Sequence, residues 1–216
     1  LPRIAGAQQY FKKVIAMSGA PVFTRSTEQA IACTDKLMAV LGCKTVADLQ
    51  KVDIRKLVDK ASDLLDLRVW AERDGRILPL DPYEAYANGA AKDIDILQGC
   101  NKDEMNFFMA ESGVGAPFVE EYTRRFAKNS VLLTDKEKAL VESFCKDVKG
   151  EKYEQLCRLY DQIWFIAPLF RISENQTKAG GKVYNYFFTA ESSVPLMKSG
   201  HGVEISLIFN HPEETR

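Results

Sequence analysis

Asp103 and Glu104 follow directly on Gly99-Cys100-Asn101-Lys102, where an apolar run, Ile94 to Leu97, has just ended and before a helical pattern begins at Met105. A carboxylate there stands at the carboxyl end of a strand, the place where open α/β sheets collect their chemistry. Such a carboxylate can hold an imidazole in one tautomer, and the chain offers only two histidines, His201 and His211. His201 lies between Gly200 and Gly202, a turn from which a ring can reach a pocket unobstructed by its neighbours; His211, beside Pro212, is expected at the surface. A purely structural role is open to each residue. Acids in a helix's first turn are stabilised by the helix dipole by about 0.3–1 kcal/mol, and His201 could be a loop histidine without a partner.

The order of the two residues favours chemistry. In α/β-hydrolases the nucleophile comes first, then Asp or Glu, then His, and Glu104 precedes His201. The nucleophile itself is not in view. A nucleophile elbow needs glycines two residues before and after its serine, because the sharp strand-to-helix turn has no room for larger side chains. Ser18, in Ala16-Met17-Ser18-Gly19-Ala20, lacks that frame, as does every other serine, and no Gly-rich oxyanion stretch is present.

The elements that must position these residues alternate between strand and helix. Tyr10 to Met17 is rich in β-branched and aromatic residues and stops at Ser18-Gly19-Ala20-Pro21, which predicts a strand and turn. Ser26 caps a helix that stops at Gly42, and Thr45 and Asp53 begin two shorter ones. After the Asp74-Gly75 turn, Asp81-Pro82 starts a helix ending at Asn88-Gly89. Asp93 to Gly99 reads as a strand and Met105 to Ala110 as the helix after it. Pro117 to Ala127 and a segment from the capping box Thr134–Glu137 to Gly150 are expected to be helical. Glu151 to Lys178 is helical by pattern with a break near Pro168. Lys182 to Phe188 is the strongest strand. Val203 to Phe209 alternates like a strand but is short enough to be a helix turn, and periodicity does not decide. Together these predict an α/β fold, an incomplete and mostly parallel sheet with many helices.

Composition excludes several classes of partner. With 29 Lys and Arg against 30 Asp and Glu, no like-charge block suggests nucleic-acid or membrane-surface binding. The longest apolar run, Ile163 to Phe170, contains Pro168 and is far short of the roughly 20 residues that span a bilayer. Five cysteines without a CxxC pair or a Cys/His cluster give no metal site and no cofactor motif, and fit free thiols in a reducing, cytoplasmic compartment. Leu1-Pro2-Arg3-Ile4 resembles neither an initiator Met nor a signal peptide, so the chain is expected to be an interior piece of something longer.

FKKVIAMSGAP (Phe11 to Pro21), Leu41-Gly42-Cys43, DGRILPLDPYEAYANG (Asp74 to Gly89), GCNKDEMNFF (Gly99 to Phe108), the Asp161 to Pro168 spacing, GGKVYNYFF (Gly180 to Phe188) and GHGVEISLIF (Gly200 to Phe209) occur in the order of landmarks in the type-B carboxylesterase and cholinesterase family. The chain resembles that family over essentially its whole length, and the bacterial para-nitrobenzyl-esterase-like members in particular. The resemblance implies that residues 1–216 are the C-terminal portion of a single α/β-hydrolase catalytic domain. It makes Glu104 the triad acid, His201 the general base, and Ser18 a serine that supports the acid by hydrogen bonding, with the nucleophile upstream of Leu1. It makes Val203 to Phe209 a short helix. The implied substrate is a small-molecule carboxylic ester, and the implied partner is the N-terminal half of the same fold. Alone, the chain is then expected to be inactive.

Two departures bear on these expectations. Cys43 has no partner about eleven residues on for the loop disulfide of secreted animal members, and Met105 replaces the usual glycine after the acid. A non-catalytic, cholinesterase-like interaction protein is the alternative reading.

Overall fold

The computed structural model describes residues 10–63, 70–111, 142–144, 146–150 and 152–211, with residue 139. The expected helix from Pro117 to Ala127 and the capping box at Thr134–Glu137 lie outside these residues. The chain divides into two compact units, one comprising residues 1–5 and 23–82 and the other residues 6–22 and 83–216.

The first unit is mostly helical. Helix α1 (Thr27–Leu41) starts at the capping box in which Ser26 accepts from the Gln29 backbone and Gln29 reaches back to the Ser26 N–H, and it ends at Gly42 in the left-handed conformation. Helix α2 (Val46–Leu49) repeats the device with Thr45 and Asp48, and α3 (Ile54–Asp63) follows after Asp53, which caps its first turn. Two short strands not anticipated from the sequence, β2 (Thr24–Arg25) and β3 (Ala71–Glu72), pair in parallel, and Phe23 meets Trp70 edge to face at 5.6 Å.

The second unit holds a parallel sheet in the order β1 (Lys13–Met17), β4 (Asp95–Asn101), β5 (Val183–Phe188). The central strand β4 buries Ile96, Gln98, Cys100 and Asn101. Ala91, Ile94 and Ile96 form an apolar cluster with Phe11, Val14, Tyr86 and Val183 around them. Helix α4 (Pro82–Ala87) leads into that cluster and stops where Gly89 turns left-handed. The opposite face carries a row in register across all three strands, Ile15, Leu97 and Tyr184, exposed by 70%, 40% and 60%.

Strand β4 runs two residues beyond Gly99, to Asn101, because β5 continues to pair with it as far as Phe188. Helix α5 (Glu104–Glu111) consequently begins at Glu104 itself. Gly99 is required where β4 crosses β5: a Cβ there would lie 2.3 Å from the Tyr186 ring.

The helical stretch after residue 151 consists of α6 (Lys152–Tyr160), a π-helical segment from Asp161 to Ile166, and α7 (Ala167–Lys178). The break expected near Pro168 therefore falls upstream of it. Proline has no N–H to give and its ring would strike the carbonyl four residues back, and the widened turn takes up that misfit, the Ala167 N–H reaching Gln162 O. Val203–Ile208 is a helix, α8, which settles the ambiguity left by its alternating pattern. Gly202, left-handed at φ 81°, turns the chain so that Val203, Glu204 and Ser206 are buried on one side.

Candidate active site

The three parallel strands of the second unit end side by side, and each delivers one residue of the site. Ser18 follows β1 immediately, Glu104 stands three residues past β4, and His201 sits in the loop beyond β5. Ser18 adopts φ 54°, and its N–H donates to Gly99 O at 2.8 Å, extending the β1–β4 ladder by one bond. That left-handed turn aims Oγ across the strand ends.

Glu104 is fully buried. Its Oε1 accepts from Ser18 Oγ at 2.5 Å and from the Asn101 N–H at 2.7 Å. Its Oε2 lies 2.6 Å from His201 Nδ1, and the His201 backbone N–H donates to Glu104 O at 3.1 Å. A carboxylate only accepts, so Nδ1 is the protonated nitrogen and Nε2 is left as an acceptor. The hydrogen bond that Nδ1–H donates to Glu104 pushes the His201 pKa above its ordinary value, against burial, which works the other way. Three aromatic rings surround the imidazole: Phe108 stacked at 5.6 Å between centroids, Phe165 at 5.7 Å and Phe107 at 6.1 Å. They fix the ring plane while its side chain stays 38% exposed.

Of the residues singled out from the sequence, Ser18, Glu104 and His201 thus meet, with the serine hydroxyl directed at the acid. Asp103 uses its backbone N–H to hold Ser199 O at 3.1 Å, and exposed His211 lies outside the group. Cys100 and Cys157 are buried, and burial pushes each thiol up to about 12, which makes them inert. Among the described residues, Cys33, Cys43, Cys100 and Cys157 take part in no disulfide.

Other polar residues in the assembly had not been picked out for a role. Asp161, at the start of the π segment, accepts from the Met105 N–H at 2.9 Å and so braces the first turn of α5. Burial pushes its carboxyl up to about 8, with the charges of Asp103 and Glu104 adding and the Met105 N–H opposing. Asn101 and Glu204 are buried beside the histidine loop and bonded to each other. Asn101 stands inside the motif that contains Glu104, but nothing in its spacing tells that its side chain turns toward a loop a hundred residues on.

A parallel sheet with a carboxylate after its central strand and a histidine after the next is the arrangement of an α/β-hydrolase. The chain matches the model of the carboxylesterase family over residues 4–216, and it belongs to that family. It is 22% identical to carboxylesterase 1C of Rattus norvegicus over 230 residues, covering 95% of this chain and 42% of that protein. It is 36% identical to cholinesterase 1 of Branchiostoma lanceolatum over 107 residues, 42% of this chain and 30% of the relative. Among solved structures, the carboxylesterase EST55 of Geobacillus stearothermophilus superposes with a TM-score of 0.71 at 23% identity, covering 95% of this chain and 43% of that one. A PNB esterase superposes with a TM-score of 0.70 at 22% identity, covering 97% and 45%. The chain thus spans less than half the length of these relatives. Among the described residues, no helix is long and apolar enough to cross a membrane.

Proposed function

We propose that the protein to which this chain belongs hydrolyses small-molecule carboxylic esters through an acyl-enzyme, and that residues 1–216 supply the acid and the base. The observation that carries this reading is the 2.6 Å contact between the fully buried Glu104 carboxylate and His201 Nδ1, at the carboxyl ends of adjacent parallel strands. With Nδ1 protonated, Nε2 takes the proton of a serine hydroxyl as its Oγ bonds to the ester carbonyl carbon. As the acyl–oxygen bond breaks, the imidazolium returns that proton to the departing alkoxide. A water then repeats the sequence on the acyl-enzyme, releasing the acid. Glu104 holds the tautomer and stabilises the imidazolium at each stage. Ser18 donates to Glu104 and orients it, a supporting role that leaves the nucleophile to another serine.

That serine and its oxyanion donors belong, on this reading, to the remaining part of the same hydrolase domain. The exposed row Ile15, Leu97 and Tyr184 supports such a partner, because an apolar sheet face of this kind is normally covered. The test uses the full-length protein and p-nitrophenyl esters. His201→Ala and Glu104→Gln should each lower kcat by about 10⁴-fold or more. A fluorophosphonate should label a serine outside residues 1–216 of the full-length protein and none in this chain alone. Stoichiometric labelling of a serine within these residues would overturn the assignment.

A further inference from the structure

The loop that carries His201 is held in an unfavourable backbone conformation, and one residue links it to Glu104 through its side chain on one side and its backbone N–H on the other. Leu196 and Lys198 have φ of 68° and 49°, left-handed values that non-glycine residues avoid and that persist only under external restraint. Four hydrogen bonds supply that restraint from the segment around Glu104. The Asp103 N–H donates to Ser199 O at 3.1 Å, the His201 N–H to Glu104 O at 3.1 Å, Asn106 Nδ2 to Leu196 O at 2.8 Å, and Asn101 Nδ2 to Gly200 O at 2.7 Å. Gly200 leaves little slack, since a Cβ there would lie 2.8 Å from Met197 O and 3.0 Å from the Phe107 N.

Asn101 differs from Asp103 and Asn106 because it bonds both to the Glu104 carboxylate and to the loop that carries His201. Its backbone N–H donates to Glu104 Oε1, while its side-chain amide gives one hydrogen to the carbonyl of the residue before His201 and the other to Glu204 Oε2, at 2.5 Å, on the first turn of α8. Two acceptors facing Nδ2 fix the amide's orientation, since the flipped form would set its oxygen against a carbonyl and a carboxylate. Asn101 is fully buried, and its Oδ1 has no hydrogen-bond partner among the described residues. A buried acceptor left unsatisfied is costly, so the side chain is spent on its two donations.

We infer that Asn101 is a positioning residue, which sets the distance between Glu104 and His201 by clamping the Gly200–Glu204 turn to the end of β4. This rests on the reading of Glu104 and His201 as acid and base. Without the side-chain bonds the loop before His201 is free to relax Leu196 and Lys198 from their left-handed conformations, and Nδ1 moves off Oε2. A displacement of about 1 Å at a reacting group is enough to cost 100-fold in rate.

The test is made in the full-length protein with Asn101→Asp, which keeps the shape but removes both donors, and Asn101→Ser, which is smaller, introduces no charge and keeps the backbone bond to Glu104. Two readouts are taken: kcat and KM on a p-nitrophenyl ester, and the downfield proton resonance of His201 Nδ1–H. Loss of the clamp should lower kcat by about 100-fold with KM within about twofold, and should broaden or shift the resonance upfield. Glu204→Gln, which retains an acceptor for Asn101, should keep the resonance. Should Asn101→Asp fail to fold, Asn101→Ser carries the same comparison. A folded Asn101→Ser protein with parental kcat and an unchanged resonance would overturn the inference. An inactive parent that still shows the resonance would refute the esterase reading and leave the clamp to be judged by the resonance alone.

Discussion

Asp161 gives a prediction that can be worked through from its surroundings. Its carboxyl is buried, is pushed up to about 8, and offers Oδ1 to the Met105 N–H. In the unfolded chain it ionises with an ordinary value near 3.8. Between these limits the folded state binds a proton that the unfolded state lacks, so its contribution to stability is fully present below about 3.8 and is lost as pH rises through about 8. The slope is about 1.4 kcal/mol per pH unit, or roughly 2–3 kcal/mol between pH 5 and 7. Asp161→Asn is nearly isosteric, its Oδ1 can still accept from Met105, and it cannot ionise. The variant should therefore gain stability relative to the parent as pH rises, by about 2 kcal/mol or more across that interval. Urea unfolding at pH 5, 6 and 7 measures this as a widening difference between midpoints. Parallel pH curves for the two proteins would refute the argument, because they would mean that Asp161 is ionised in the folded state and stabilised by groups other than those described.

The remaining predictions concern the pair and its supports. Ser18→Ala removes one donor to a buried carboxylate and should destabilise the protein by about 1.5–3 kcal/mol, measured by thermal or urea unfolding, while lowering kcat more than it raises KM. Gly99→Ala forces a methyl group against the Tyr186 ring at 2.3 Å, and overpacking of that kind should cost about 1–3 kcal/mol in the same measurement. Because His201 is raised by its bond to Glu104 and must be neutral to act as a base, the rising limb of the pH–rate profile should lie above about 6.5. In Glu104→Gln the residual activity should show that limb moved downward. The same shift means that the pair's contribution to stability is complete below about 6.5 and fades as pH climbs through the raised value. An aromatic disulfide reagent should react with Cys100 and Cys157, releasing its thiolate, only on unfolding, since both are buried with thiols near 12.

Much of the fold was legible because its boundaries are written in local chemistry. Ser26 with Gln29, Thr45 with Asp48, Asp81 before Pro82, and the glycines at 42, 89 and 180 act within one turn of the chain, and each element begins or stops where they stand. The strands before Ser18, Glu104 and His201 could each be recognised by themselves, and a parallel sheet places their ends together, while the roles of the three residues were implied by the family resemblance. What was not legible depends on contacts between distant segments. The helix at Val203–Ile208 was implied by the family resemblance and not by periodicity, since Glu204 and Ser206 have no periodic signature that distinguishes them from a strand's polar positions. The two-residue strands β2 and β3 are too short for any pattern, and exist only because residues 24–25 and 71–72 come together. Asn101 and Asp161 owe their importance to the groups they reach, which are about a hundred and 56 residues away respectively.

The π segment explains how one helix serves the site twice. In a regular α-helix running through Pro168, the carbonyl of Trp164 would strike the proline ring and lose its bond. Widening the turn between Asp161 and Ile166 removes that conflict and inserts an additional residue before α7 begins. Asp161, Phe165, Leu169 and Ser173 recur at intervals of four, the spacing that places side chains along one side of a helix. Asp161 and Phe165, both buried and both inside the widened turn, approach Glu104 and His201: the first braces the backbone that presents Glu104, and the second lies against the His201 ring. Beyond the turn, Leu169 and Ser173 face Gln98 under the central strand, where Gln98 Nε2 donates to the carbonyl of the first and the hydroxyl of the second. The widened turn that accommodates Pro168 thus contains the two residues, Asp161 and Phe165, that support Glu104 and His201.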